Sequence, residues 1–257
     1  MVAVSHNRTS LSTTANSLGH QLSHTAQLDG HFRKCQAEYE AMARAVGIQP
    51  GWHILDAGCG TGVFLPLLHE LVGPTGKVTA IDIAPENRQS AQMLVDAIQI
   101  GQNISIQEGD ITRLPFADNM FDAIWCANVA QYLRDEQFGS MLQEFHRTLK
   151  PGGRLGIKEF DATTMQFLPA DPELMLRLSA ARVSADDVQA WGTLRSLLAR
   201  SWLLKYGFTD VWIKNFVSDC QPPLEDWLIE YLGGFLKWIA NRAETVNISA
   251  TDLVAWR

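Results

Sequence analysis

The sequence is short of cysteine and of positive charge. Its four cysteines, at 35, 59, 126 and 220, form no CxxC pair, and no Cys/His group has zinc-ligand spacing. That argues against a disulfide scaffold or a zinc module and fits reduced thiols in a cytoplasmic protein, with Cys59 and Cys126 as small buried fillers. No Asp, Asn and His cluster marks a metal site either. Lys and Arg number 21 against 28 Asp and Glu, giving a net charge of −7. The basic residues are scattered, whereas nucleic-acid binding needs them clustered along phosphates. An anionic membrane surface would also repel this chain. No stretch reaches the ~20 apolar residues that span a bilayer. Residues 1–28 carry nine Ser or Thr, one Arg and no acid, without a secretory apolar segment. They read as a flexible tail.

What is present is a large core and a regular alternation. Apolar residues make up 46% of 257. Helical spacing of Cys35, Tyr39, Met42, Ala43 and Val46 predicts a helix over 32–46, stopped by Gly47. "WHILDA", "KVTAIDI", "ISIQEGD", "FDAIWCAN" and "RLGIKEF" read as five strands. "VFLPLLHELV", "APENRQSAQMLVDAIQI" and "FGSMLQEFHRTL" read as helices between them. This alternation predicts an α/β fold, a doubly wound and mostly parallel sheet covered on both faces.

The second half is less regular. Helices are expected from Asp171 and from Ser184, the latter running to Gly207. "TDVWIKNFV" is expected as a sixth strand. A further apolar helix follows, expected to break at Gly233–Gly234, and no seventh strand is visible. Residues 29–160 form the expected ligand-binding unit. Residues 161–257 form a helical cap plus the sixth strand within the same structural domain.

The stretch "HILDAGCGTGVFL" carries most of the chemistry. Glycines 58, 60 and 62 follow an apolar strand, at the carboxyl end where open α/β sheets bind ligands. A dinucleotide loop would place its third glycine at 63, which is Val, and a P-loop would need a Lys after its glycine. Asp56 beside the loop further disfavours phosphate and suits a ligand carrying positive charge. Asp82, ending the second strand, can accept from a ribose diol. Asp110, ending the third, can accept from an adenine amino group. The set describes an adenosine with an amino-acid tail and a cationic centre.

At this point the sequence resembles the class I S-adenosylmethionine-dependent methyltransferases. "ILDAGCGTG", "VTAIDIAPE", "EGDITRLPF" and "LKPGGRLGI" resemble that family's successive motifs over roughly residues 30–160. Within it, the chain is most similar to small-molecule enzymes of the ubiquinone-biosynthesis type. The resemblance implies a Rossmann-like methyltransferase fold with N-terminal helices and a helical cap around strand six. It implies S-adenosyl-L-methionine as cofactor and S-adenosyl-L-homocysteine as product. Asp56, Ala57, Gly58 and Gly60 would surround the methionine part. Asp82 would bind the ribose, with Ile83, Asp110 and Ile111 around the adenine and Asn128 near the sulfonium. For Ile83 and Ile111, ordinary core packing is the competing reading.

Methyl transfer from a sulfonium is an in-line displacement, and the protein has to align the acceptor and, where needed, take a proton. Glu159 and Tyr132 are the catalytic candidates, with Tyr39, Gln131 and Tyr132 as substrate contacts. His31 could close over the site from the N-terminal segment. Trp191, Trp202, Trp212, Trp227 and Trp238 favour an apolar or aromatic small-molecule acceptor, methylated at C, O or N, and secondary metabolism is a plausible setting. "WLIEYLGGFLKWI" could also serve a homodimer interface. The alternative is a protein of this fold that binds the cofactor but acts as a cyclase or a binding partner.

Overall fold

The computed structural model describes residues 25–256. The expected tail therefore lies largely outside the described residues. The chain runs through α1 (Thr25–Lys34), α2 (Gln36–Ala45), β1 (His53–Ala57), α3 (Leu65–Val72), β2 (Lys77–Asp82) and α4 (Pro85–Ala97). Next come β3 (Ile104–Glu108), β4 (Phe121–Ala127), α5 (Asp135–Thr148) and β5 (Leu149–Lys158). Five helices follow: α6 (Leu174–Ser184), α7 (Val188–Arg195), α8 (Ala199–Lys205), α9 (Asp226–Ala243) and α10 (Ala250–Trp256).

The five strands form one parallel sheet in the order β3-β2-β1-β4-β5. Successive side chains of a strand point to opposite faces, and both faces here are apolar. Ile54 of β1 and Trp125 of β4 join a core with Tyr39, Leu68 and Ala91 on one face. Their neighbours Leu55 and Ile124 join Phe138, Met141 and Phe145 of α5 on the other. Each such side chain contributes about 1.5–3 kcal/mol by leaving water. A smaller core joins Met175 and Leu178 of α6 to Ile239 and Ala243 of α9.

The doubly wound parallel sheet matches the expectation, and the strand order reverses between β1 and β4. Several elements differ. The helix expected over 32–46 is two helices, interrupted at Cys35. The long helix expected from Ser184 begins only at Val188 and is split into α7 and α8 by a 3₁₀ turn at Ser196–Leu198. Asp186 adopts a left-handed φ of +57°, and Asp187 caps α7 by accepting from Ala190 N at 3.1 Å. The expected break at Gly233–Gly234 is absent, because α9 runs through both glycines.

The sixth strand does not form among the described residues. Residues 209–217 join no ladder, Asp210 turns the chain at φ +51°, and Trp212 and Ile213 stay exposed. β-Branched and aromatic residues suit a strand's side-chain positions, but its backbone still requires a partner.

Candidate functional site

The turn after β1 is shaped by its glycines. Gly58, Gly60 and Gly62 have φ of +85°, +54° and +82°. Side chains other than glycine rarely adopt this left-handed region. At Gly58 a Cβ would also overlap Val129, and at Gly62 it would lie 2.9 Å from Ala91 Cβ. The loop is thus pressed between the turn after β4 and helix α4.

One carboxyl anchors it and a second lies buried below. Asp82 Oδ2 accepts from Gly60 N at 2.9 Å, and its Oδ1 accepts from Ala84 N at 2.8 Å and Asn87 Nδ2 at 3.3 Å. Asp56 is buried beneath the loop, and its Oδ2 has no hydrogen-bond partner among the described residues. Burial first, and then the neighbouring Asp82 carboxylate, push the Asp56 carboxyl up to about 8. A buried carboxyl left unpaired is costly unless a donor or cation meets it. Ala57, the last residue of β1, is packed in the second core.

The remaining expected residues divide. Ile83 is 46% exposed at the end of β2, open to a ligand, whereas Ile111 is buried in the second core. Asp110 is exposed, and its Oδ1 accepts from Thr112 N and Oγ1 at 2.8 and 2.7 Å, closing its own turn. Tyr132 lies in a short 3₁₀ turn over Ala130–Tyr132. Gln131 in that turn is buried, donating to Asn128 O at 3.1 Å. Glu159 Oε1 accepts from Ala130 N at 2.7 Å, and burial pushes its carboxyl upward.

A second cluster forms where the N-terminal helices meet the ends of β4 and β5. Asn128 holds a left-handed φ of +59°. Its Nδ2 donates to Tyr39 Oη at 3.1 Å, and its Oδ1 accepts from Lys158 Nζ at 2.5 Å. Lys158 Nζ also donates to Tyr39 Oη at 2.5 Å. Tyr39 Oη bonds His31 Nε2 at 2.6 Å, and His31 Nδ1 bonds Tyr231 Oη of α9 at 2.7 Å. Sequence reasoning named Tyr39, His31 and Asn128 but missed Lys158 and Tyr231. A lysine ending a strand buried on both faces was the available signal for Lys158. Tyr231 had none.

Helix α1 also crosses the glycine loop. Leu28 Cδ1 lies 3.3 Å from where a Gly60 Cβ would stand, and Thr61 Oγ1 donates to Asp29 Oδ1 at 2.8 Å. The tryptophans do not converge on one pocket. Trp191 donates to Asp135 at 2.8 Å, Trp202 packs on Phe138, and Trp212 is exposed. Trp227 lies under Arg33, and Trp238 stacks on Phe235.

A family model described as a methyltransferase domain matches residues 54–153. The ubiquinone/menaquinone biosynthesis C-methyltransferase UbiE of Pseudomonas putida (strain GB-1) is 32% identical over 190 residues, covering 67% of this chain and 71% of that protein. The chain belongs to the class I S-adenosylmethionine-dependent methyltransferases. An uncharacterized 37.1 kDa protein in transposon TN4556 of Streptomyces fradiae is 31% identical over 161 residues. That match covers 62% of this chain, and the chain spans 44% of that relative's length. A solved S-adenosylmethionine-dependent methyltransferase from Aquifex aeolicus aligns with a TM-score of 0.46 at 26% identity, covering 58% of this chain and 77% of that one.

The methyltransferase cofactor suits the residues present. An adenosyl group with a cationic amino-acid tail fits a tight loop whose three glycines hold a left-handed backbone, backed by a buried carboxyl oxygen that has no partner among the described residues. Among the described residues, no group of three His, Cys, Asp or Glu gathers to hold a metal ion, and no helix is long and apolar enough to cross a membrane.

Proposed function

We propose that this chain moves a methyl group from S-adenosylmethionine to a C, O or N atom of a small, largely apolar or aromatic metabolite. The observation that carries the proposal is Asp56 Oδ2, buried and without a hydrogen-bond partner among the described residues, beneath the three-glycine loop at the β1/β4 reversal. A cation there completes a hydrogen-bond set that the protein leaves open. The bound cofactor supplies a methyl group already activated on a sulfonium. The protein's own residues do the rest.

In this reading Asp56, Ala57, Gly58, Gly60 and Asn128 hold the methionine part. Asp82 keeps the loop in shape through Gly60 N and accepts from the ribose with its remaining lone pairs. Ile83 covers one face of the adenine, and Asp110 and Ile111 border its other edge. Gln131, Tyr132 and Tyr39 border the acceptor, in front of Glu159. The relative's name, a C-methyltransferase of ubiquinone/menaquinone biosynthesis, supports an acceptor of apolar aromatic character.

The test has two arms. Calorimetry with S-adenosylhomocysteine should show binding that Asp82→Ala weakens. Incubation with methyl-labelled cofactor and a panel of phenols, quinols and amines should label one class of product. Binding with no labelled product from any acceptor would favour a binding or cyclase role. Absence of binding would end the methyltransferase reading.

A further inference from the structure

Lys158, Tyr39, His31 and Tyr231 form one uninterrupted hydrogen-bonded chain. Its links measure 2.5, 2.6 and 2.7 Å. It joins the end of β5 to α9 through α2 and α1, and 200 residues separate His31 from Tyr231.

The donors along it can be assigned. Tyr39 Oη receives hydrogen bonds from Lys158 Nζ and from Asn128 Nδ2. Its single hydroxyl proton must therefore point to His31 Nε2. That nitrogen is then bare, so His31 Nδ1 carries the ring proton and donates to Tyr231 Oη. The imidazole is neutral, in accord with a pKa lowered to about 3, chiefly by burial and then by Lys158. Each of the two middle groups, Tyr39 and His31, both donates and accepts, as proton relay requires. A chain built only of lysines, amides or carboxylates could not do this.

Lys158 is unusual at its head. It is buried, and among the described residues its hydrogen-bond partners are neutral, a phenol and an amide. Two acceptors use two of its three donor positions. It ends β5 beside Asn128, whose N donates to Lys158 O at 2.8 Å, so it borders the crevice where such sheets bind ligands.

We propose that Lys158 is the proton acceptor of the reaction and that Tyr39, His31 and Tyr231 carry its proton away. Lys158 in its free-base form takes the proton of an acceptor O–H or N–H. The electron pair that held that proton becomes the pair that receives the methyl group. The resulting ammonium then passes one proton to Tyr39 Oη, which releases its own to His31 Nε2. His31 releases its Nδ1 proton to Tyr231, and the half-buried Tyr231 passes one outward. One proton enters at Nζ and one leaves at Tyr231.

Burial lowers the Lys158 ammonium below the ordinary lysine range. Glu159, next on the strand, opposes that shift, and so does Cys35 where α1 meets α2. Lys34 reinforces it, although its ammonium is turned to Ser218 Oγ at 3.0 Å. Tyr39, His31, Tyr231 and Asn128 are the other polar groups of the cluster, all uncharged. Glu159 turns its Oε1 to Ala130 N instead.

The role assigned to the proton rests on the methyltransferase reading, but the relay can be measured without turnover. The probe is hydrogen exchange of the Lys158 ammonium with water, followed by nitrogen NMR on the full-length 15N-lysine protein. Lys158→Met assigns the signal by its loss. A relay predicts that Tyr231→Phe, which removes one half-buried oxygen, slows this exchange by about tenfold. Circular dichroism and melting temperature should stay near wild type. Unchanged or faster exchange in a folded Tyr231→Phe protein would overturn the relay and leave these groups as a clamp between helices. S-adenosylhomocysteine calorimetry on the same samples separates the two failures. Lost cofactor binding in wild type would sink the methyltransferase reading, whereas an insensitive exchange rate with cofactor binding intact would sink only the relay.

Discussion

Asp82 at the end of β2 holds Gly60 in the turn after β1, carboxylate to backbone N–H at 2.9 Å. One side chain thus fixes the loop of a neighbouring strand, and in the proposed reading it also accepts from the ribose. Asp82→Asn should keep the fold but replace one acceptor oxygen with a donor facing Gly60 N or Ala84 N. We expect a stability loss of about 1–3 kcal/mol, read by urea denaturation. S-adenosylhomocysteine affinity should fall by about tenfold or more. Wild-type affinity in the variant would place the ribose elsewhere.

Gly58→Ala should be among the most damaging single-methyl additions. It combines a φ of +85° with overlap on Val129. Strain and overpacking together should cost about 2–5 kcal/mol. Gly152 is the control, with φ +78° and nothing within 4 Å of its would-be Cβ. Gly152→Ala should cost about 1 kcal/mol from strain alone. Equal losses at the two positions would mean that Val129 does not press on the loop.

Asp56 gives the ligand-free protein a pH dependence of defined sign. Its folded pKa, about 8, lies above the unfolded carboxylate value. The folded state therefore holds the proton longer than the unfolded state, and stability falls as pH rises from the unfolded value through about 8. Subtracting the stability curve of Asp56→Asn from that of wild type over this range isolates the slope from His31 and Lys158. Both of those are lowered on folding and act in the opposite direction. Saturating S-adenosylhomocysteine should reduce the slope, since a cation beside Asp56 favours the carboxylate. Parallel curves for wild type and variant would show that Asp56 ionises normally.

Arg195 locks the turn that carries Gln131 and Tyr132. Its Nη2 donates to Ala130 O at 2.6 Å, and its Nη1 donates to Leu133 O and Asp135 Oδ1, both at 2.9 Å. The guanidinium is 2% exposed. Lysine cannot span these acceptors with a fixed fork. Arg195→Lys should destabilise by about 1–3 kcal/mol and loosen the turn, read as faster amide exchange at Gln131 and Tyr132. A neutral outcome in both measurements would remove the clasp.

The sheet was legible because its signals are local. Near-continuous apolar runs of β1 and β4, buried on both faces, need no distant information to be read as central parallel strands. The glycines at 58, 60 and 62 marked a loop at the carboxyl end of the first strand, where the structure shows the left-handed backbone that few other residues adopt. The segment 209–217 misled for the converse reason. Its β-branched and aromatic composition is that of a strand, but pairing is a property of two segments, and no local pattern supplies the second. Helix α9 crosses Gly233 and Gly234 because packing of Phe235, Trp238 and Ile239 against α6 outweighs about 1 kcal/mol of poor propensity per glycine.

By itself, the sequence determined the strand–helix alternation, the three glycines of the loop, and the acids near the strand ends. These follow from backbone sterics and short-range periodicity. Only the tertiary structure decided what those acids face and which groups meet across the chain. Asp56 Oδ2 has no hydrogen-bond partner among the described residues and Asp82 is tied to Gly60, although both are acids near the carboxyl ends of neighbouring strands. Lys158 reaches Tyr231 through Tyr39 and His31 because α1, α2 and α9 converge over the end of β5. Burial and long-range contact set those properties, and neither is written in the spacing of the residues.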